Sequence, residues 1–252
     1  MVQCEGYIPG GARCRIFWGL DALGYCHHHA RQGRPRCQGF RIGTNTRCGR
    51  LAKPGFDYCS DVHDPATPYI PPRILDPAYY LRSSVQDAVV ANYNGRDIYN
   101  QEMLDLITPS VLHLDHIGEK QCFTHALIQM GLRDGDEDLE LVTTMLRDSV
   151  VNEVGNLALT RANTNRIKGK AVSKYLDDLR TGHLGQRTFT SYLLDEALNG
   201  EKLGRAVTGR ITHVMGRALK RCKWKLADEG ETPVLEQLSE QLWKLRIDME
   251  LH

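Results

Sequence analysis

Two groups of residues in this chain could do chemistry. One is Asp115-His116, an acid beside an imidazole, with the amides Asn156 and Asn165 and the cation Lys168 following much later. A neutral imidazole near its ordinary pKa can take a proton from water at neutral pH. A carboxylate and an amide oxygen are the donors a hard divalent cation prefers. The other group is cysteine-based. Cys4, Cys14, Cys26 and His29 are followed by Cys37, Cys48, Cys59 and His63, each 33 or 34 residues after its counterpart. Flanking residues repeat as well: Cys4-Glu-Gly-Tyr7 matches Cys37-Gln-Gly-Phe40, and Tyr25-Cys26 matches Tyr58-Cys59. Each copy offers three thiols and one imidazole, the inventory of a closed tetrahedral zinc site.

Segments this short bury too little apolar surface to fold alone, so metal must supply the folding energy. Three cysteines per copy cannot pair off internally as disulfides. The reading is therefore two structural Zn²⁺ modules, residues 1–33 and 34–63. His27 and His28 compete with His29 for the fourth place in the first, and the period favours His29. Arg13, Arg15, Arg31, Arg34, Arg36, Arg41, Arg47 and Arg50 surround the ligands. Phosphate contact and protein docking are both open to them.

The elements that must position the first group follow from pattern. Residues 64–73 hold four prolines and read as a linker. Asp76-Pro77 reads as a helix start, with a stop at Asn94-Gly95, and a second short helix is expected over 97–107. Val111–Ile117 reads as one strand and Asn156–Thr160 as another. Thr160 is expected to cap a helix from Arg161 to about Leu179, on which Asn165 and Lys168 share a face. The insertion between the strands carries a helix near 138–152, and its Cys122 and His125 read as core or loop residues. Residues 202–225 read as a helix with one cationic face. The last segment, 226–252, is amphipathic: Leu235, Leu238, Leu242, Leu245 and Met249 recur every three or four residues. That seam suits packing on the chain's own core or a small coiled-coil homodimer.

Composition is that of a globular protein, 41% hydrophobic and 25% charged. No apolar run reaches the length of about 18 residues that a membrane helix needs, and no secretory signal is legible. No membrane contact and a cytoplasmic location are therefore expected. The net charge of +1 conceals a basic stretch, residues 160–225, with fifteen Lys/Arg against five Asp/Glu. That excess favours a polyanion partner.

Leu114-Asp115-His116-Ile117, then Asn156-Leu-Ala-Leu159, then Asn165-Arg-Ile-Lys168 resembles the HNH, or ββα-metal, endonuclease motif over residues 111–175. The resemblance implies an α+β fold: a ββα-metal core within a mostly helical domain, 74–225. It implies a metal-dependent phosphodiester hydrolase acting on nucleic acid, with DNA favoured over RNA. His116 would be the general base and Asn156 would pin the loop that orients it. Asp115 and Asn165 would hold one Mg²⁺ or Mn²⁺, while His113, Arg166 and Lys168 would touch substrate. Departures exist: Gly118 stands where proline is frequent, and thirty-nine residues separate His116 from Asn156. Asn163 also rivals Asn165. The alternative reading is a zinc-dependent nucleic-acid-binding protein or adaptor without turnover.

Overall fold

The computed structural model describes residues 3–8, 11–20, 25–29, 32, 35–38, 48–52, 57–59, 69–77, 81–106, 111–133, 136–228 and 232–251. The chain divides into two compact units, Met1–Tyr69 and Ile70–His252. His63 and residues 64–68 of the expected linker lie outside the described residues.

The described residues of the first unit contain no helix or multi-residue strand. Isolated antiparallel bridges, Tyr7 to Arg13, Leu20 to Cys26 and Arg36 to Leu51, fold the chain back on itself. Among the described residues its apolar cluster is Cys4, Cys14 and Cys26 with Ile16 and Leu20 packed beside them, and Cys37, Cys48 and Ala52 are buried as well. So small a cluster buries little apolar surface, and a metal held by the thiols could supply folding energy.

The second unit is helix-rich and holds a two-stranded sheet, compatible with an α+β class. In chain order it comprises α1 (Leu81–Asn92), β1 (Leu112–His116), α2 (Lys120–Gln129) and α3 (Glu137–Met145). A π-helical turn, Leu146–Val151, continues α3. Then come β2 (Leu157–Arg161), α4 (Ala162–Thr181), α5 (Phe189–Leu193), α6 (Glu196–Asn199), α7 (Arg205–Asp228) and α8 (Pro233–Asp248). β1 and β2 are antiparallel, with Asp115 opposite Ala158 and His116 opposite Leu157. α4 begins where β2 ends, so strand, strand and helix form one ββα unit.

Alternation along the strands assigns the two faces. Leu157 and Leu159 pack with Leu81 and Val89 of α1, while Ala158 and Ile117 pack with Ala218 of α7. Asp115, paired with Ala158, falls on the second face. On α4 the buried positions Thr164, Ile167, Lys168, Ala171, Val172 and Tyr175 recur at helical spacing, and Gly182 ends the helix with φ +71°. A left-handed residue there is what glycine tolerates without a Cβ clash.

Two expectations need correction. Residues 97–106 are not helical; a bridge joins Arg96 to Met103, and Gln101 has φ +64°. The Asp97 carboxylate accepts from the backbone N–H groups of Tyr99 and Asn100, an arrangement that competes with helix hydrogen bonding. Thr160 does not cap α4. Its hydroxyl donates to Asp97 Oδ2 at 2.7 Å, and that same oxygen accepts from Arg161 N–H at 3.1 Å. The last segment, by contrast, packs on the chain's own core, one of the two arrangements its seam suited. Leu238, Leu242, Leu245 and Met249 are buried in the same core as Cys222 and Leu226 of α7. The seam that suited a homodimer is spent on the chain's own interior.

Candidate functional site

Cys26 and His29 lie in one turn, the His29 N–H bonding to Cys26 O at 2.8 Å. Cys4, Cys14, Cys26 and His29 are all buried, with ligand atoms within 4.8 Å of one another. The contacts run from Cys26 Sγ to His29 Nδ1 at 3.3 Å, through Cys4 Sγ to His29 Nδ1 at 3.7 Å, to Cys14 Sγ to Cys26 Sγ at 3.9 Å. A zinc ion about 2.3 Å from each sulfur sets tetrahedral edges of roughly 3.8 Å, so the cage has the right size. Burial raises the Cys4 thiol pKa, but backbone N–H groups of Cys26 and Gly6 directed at its sulfur prevail and bring it down to about 7. Gly6 is needed for closure: a Cβ there would lie 2.3 Å from the His29 side chain. This close approach accounts for the glycine two residues after the first cysteine of the copy, a position repeated at Gly39.

The second copy brings Cys37, Cys48 and Cys59 together, with Cys48 Sγ and Cys59 Sγ 3.6 Å apart. Both clusters could hold zinc.

The second unit assembles the other group around a buried cation. Lys168 is fully buried, directed from α4 under the end of β1. Its Nζ lies 2.9 and 2.8 Å from the Asp115 oxygens, 2.7 Å from His116 O, 3.3 Å from Ile117 O and 3.1 Å from Tyr99 Oη. Glu119 Oε1 adds a sixth oxygen at 3.2 Å. Tyr99 also donates a short hydrogen bond to Asp115 Oδ2. Burial alone would strip the proton from Lys168; the Asp115 and Glu119 carboxylates outweigh it and hold the ammonium charged, above its usual pKa. Glu119 is the less compensated acid, and burial pushes it up to about 7 against the pull of Lys168. Lys168 is thus an internal counter-ion, a correction to its expected contact with substrate.

A prediction follows from this pairing. Lys168→Met leaves two carboxylates in the interior without their cation, which costs about 3–5 kcal/mol. Urea unfolding of the variant measures it, and a loss below about 1 kcal/mol would contradict the buried-pair account.

His116 ends β1 and faces elsewhere. Its Nε2 lies 2.9 Å from Asn152 Oδ1. The Asn152 amide is fixed, since its nitrogen donates to Leu75 O and Arg147 O, both at 2.9 Å. The oxygen therefore faces the ring, the proton sits on Nε2, and the lone pair is on Nδ1. Burial, reinforced by Lys120, lowers the pKa to about 4. In nitrogen-15 NMR of the chain at pH 6, His116 should show the neutral Nε2–H tautomer and protonate only near pH 4. A cationic ring at pH 6 would contradict the geometry.

Asn156, fully buried, clasps the turn after His116. It accepts from Gly118 N–H at 2.8 Å and donates to Gly118 O at 3.3 Å and Val151 O at 2.9 Å. Asn165 is half-buried in the first turn of α4 and makes no side-chain hydrogen bond among the described residues. Its rival Asn163 is occupied, donating to Glu201 and accepting from Arg166. Arg166 is exposed and also donates to Asn199 O. His113 is exposed, opposite Thr160. The fold therefore joins Asp115 to Lys168 directly and links His116 and Asn156 through the turn they share. Arg166 is held on the α6 side of α4.

Tyr99, Glu119 and Asn152 were not legible as site residues. Each acts through a partner distant in sequence, and no local spacing announces such a contact. Among the described residues, Asp115 belongs to no cluster of three or more His, Cys, Asp or Glu able to hold an ion. The six-oxygen cage has the donor chemistry of a hard-cation site, but an ammonium and a divalent ion cannot share it at contact distance. A metal on Asp115 requires Lys168 to leave. No described helix is long and apolar enough to cross a membrane. No family model matches the chain, and no curated protein or solved structure is significantly similar to it.

Proposed function

We propose that the second unit is an HNH-type endonuclease core that hydrolyses phosphodiester bonds of nucleic acid, DNA favoured, with the two cysteine modules as zinc-bound structural or docking elements. The observation that carries this reading is His116: an imidazole at the end of β1, in a ββα unit, kept neutral by burial and Lys120 and fixed in one tautomer by Asn152. An imidazole unprotonated at neutral pH, with Nδ1 as the accepting atom, can take a proton from water, as a weaker base than one titrating near neutrality. Asn156 supports it by holding the Gly118 turn, so that the ring cannot drift with the loop.

Mg²⁺ or Mn²⁺ would be held by Asp115 with Asn165, both oxygen donors, once Lys168 has withdrawn. When bound, such an ion neutralises charge on the scissile phosphate and the leaving oxygen. His116 does its part independently, taking the proton of the attacking water at Nδ1 while Asn152 stabilises the ring through Nε2.

A specific observation favours a second reading. Lys168 already fills the place where a cation would sit on Asp115, as it would in a nucleic-acid-binding protein that no longer cuts. Incubating the purified full chain with supercoiled plasmid and Mg²⁺ or Mn²⁺ decides between them. The nuclease reading expects open-circular or linear product. Retarded but intact plasmid with both metals would replace it with the binding reading.

A further inference from the structure

α7 carries Arg205, Arg210, Arg217, Lys220, Arg221, Lys223 and Lys225 against one acid, Asp228. A helix of this charge requires a polyanion or a solvated surface, and the groove beside it distinguishes the two. A cavity of about 540 Å³ lies between α7, the end of α1 and the loops at the active end of the sheet. Ile117 and Gly155 line it, the immediate neighbours of His116 and Asn156. Its outer wall bears Arg217, Lys220, Arg221 and Trp224.

Three features give this groove the character of a binding site. Trp224 is 59% exposed on an otherwise cationic surface, with Lys220 Nζ 5.1 Å from its ring centroid. Arg221 enters over Gly155, where any Cβ would lie 2.4 Å from its guanidinium. The local acid Glu153 is taken by Arg221 and Lys225. Arg217 and Lys220 have no acidic partner among the described residues. A cationic groove with a solvent-exposed aromatic ring is the device by which proteins hold single strands, phosphates on the cations and a base on the ring. A duplex, with its bases already stacked, cannot use Trp224 in this way.

We propose that this groove binds a single-stranded or unpaired stretch of nucleic acid, one base stacked on Trp224 and the backbone on Arg217 and Lys220, leading the strand to His116. The assignment deepens the nuclease reading and rests on it for direction, but its binding step is measurable without turnover.

The test uses the full-length His116→Ala chain without added Mg²⁺ or Mn²⁺, titrated with a dodecameric oligo(dT) and with a duplex of equal length, read by tryptophan fluorescence and anisotropy. Oligo(dT) should quench the fluorescence and bind more tightly than the duplex. Trp224→Leu, at an exposed position, should remove the quench and weaken oligo(dT) about tenfold or more, while duplex affinity holds. Arg217→Gln with Lys220→Gln should weaken binding and lower the salt slope by about one to two. Equal affinity of Trp224→Leu and its parent for oligo(dT) would overturn the proposal. So would a duplex that binds as tightly as the single strand without quenching. Failure of plasmid cleavage with the quench intact would sink only the nuclease reading.

Discussion

His116→Ala is expected to leave supercoiled plasmid uncut under conditions where the parent chain cuts it, while the zinc content per chain stays the same. General-base catalysis contributes about 10²–10⁴-fold, and the uncatalysed reaction is far too slow to be seen. The cysteine clusters lie in the first unit and His116 in the second, so one measurement reports chemistry and the other the integrity of the modules. Removing the ring also deprives Asn152 Oδ1 of its donor, which costs about 1–3 kcal/mol. His116→Gln controls for this, because its amide can donate to Asn152 but cannot accept a proton from water at neutral pH. Both variants should be inactive, with the glutamine chain closer to the parent in unfolding midpoint. Parental cutting by either would remove His116 from the mechanism.

The second large effect is expected at Cys26. Its sulfur touches both Cys14 Sγ and His29 Nδ1, so it occupies the centre of the first cluster. Cys26→Ser should reduce bound zinc from two ions per chain to one, measured by elemental analysis, and expose the first module to protease. Structural zinc supplies about 10–16 kcal/mol in modules of this kind, far more than Ile16 and Leu20 can provide by burial. Two zinc ions retained in the variant, or none in the parent, would refute the assignment.

The difference between these predictions lies in how each site is encoded. The first cysteine cluster is local: its three thiols and one imidazole fall within 26 residues, and the turn from Cys26 to His29 needs no distant partner. The repeat period alone was enough to choose His29 over His27 and His28, and the structure places His29 Nδ1 against the sulfurs. The ββα order was legible for a similar reason. Strand alternation and the helical spacing of Ile167, Ala171, Val172 and Tyr175 are properties of short segments.

Lys168 marks the limit. Three residues after Asn165 on a helix, it read as a surface cation reaching for phosphate, because lysine is rarely buried. Only the packing of α4 against the Ala158 face of the sheet brings position 168 beneath Asp115, fifty-three residues away. The same holds for Asp97, whose carboxylate reaches Thr160 and Arg161 and so turns an expected helix into a loop. It holds too for α8, whose leucine seam could meet a second copy or its own core until α7 occupied it.

By itself, then, the chain's sequence determined where thiols and imidazoles recur and where the two strands and the long helices α4, α7 and α8 run, since these depend on neighbours a few residues apart. Tertiary structure decided which ionisable groups face one another in the interior. Charges separated by fifty or more residues meet only once the elements between them have packed, and no spacing in the sequence records that meeting.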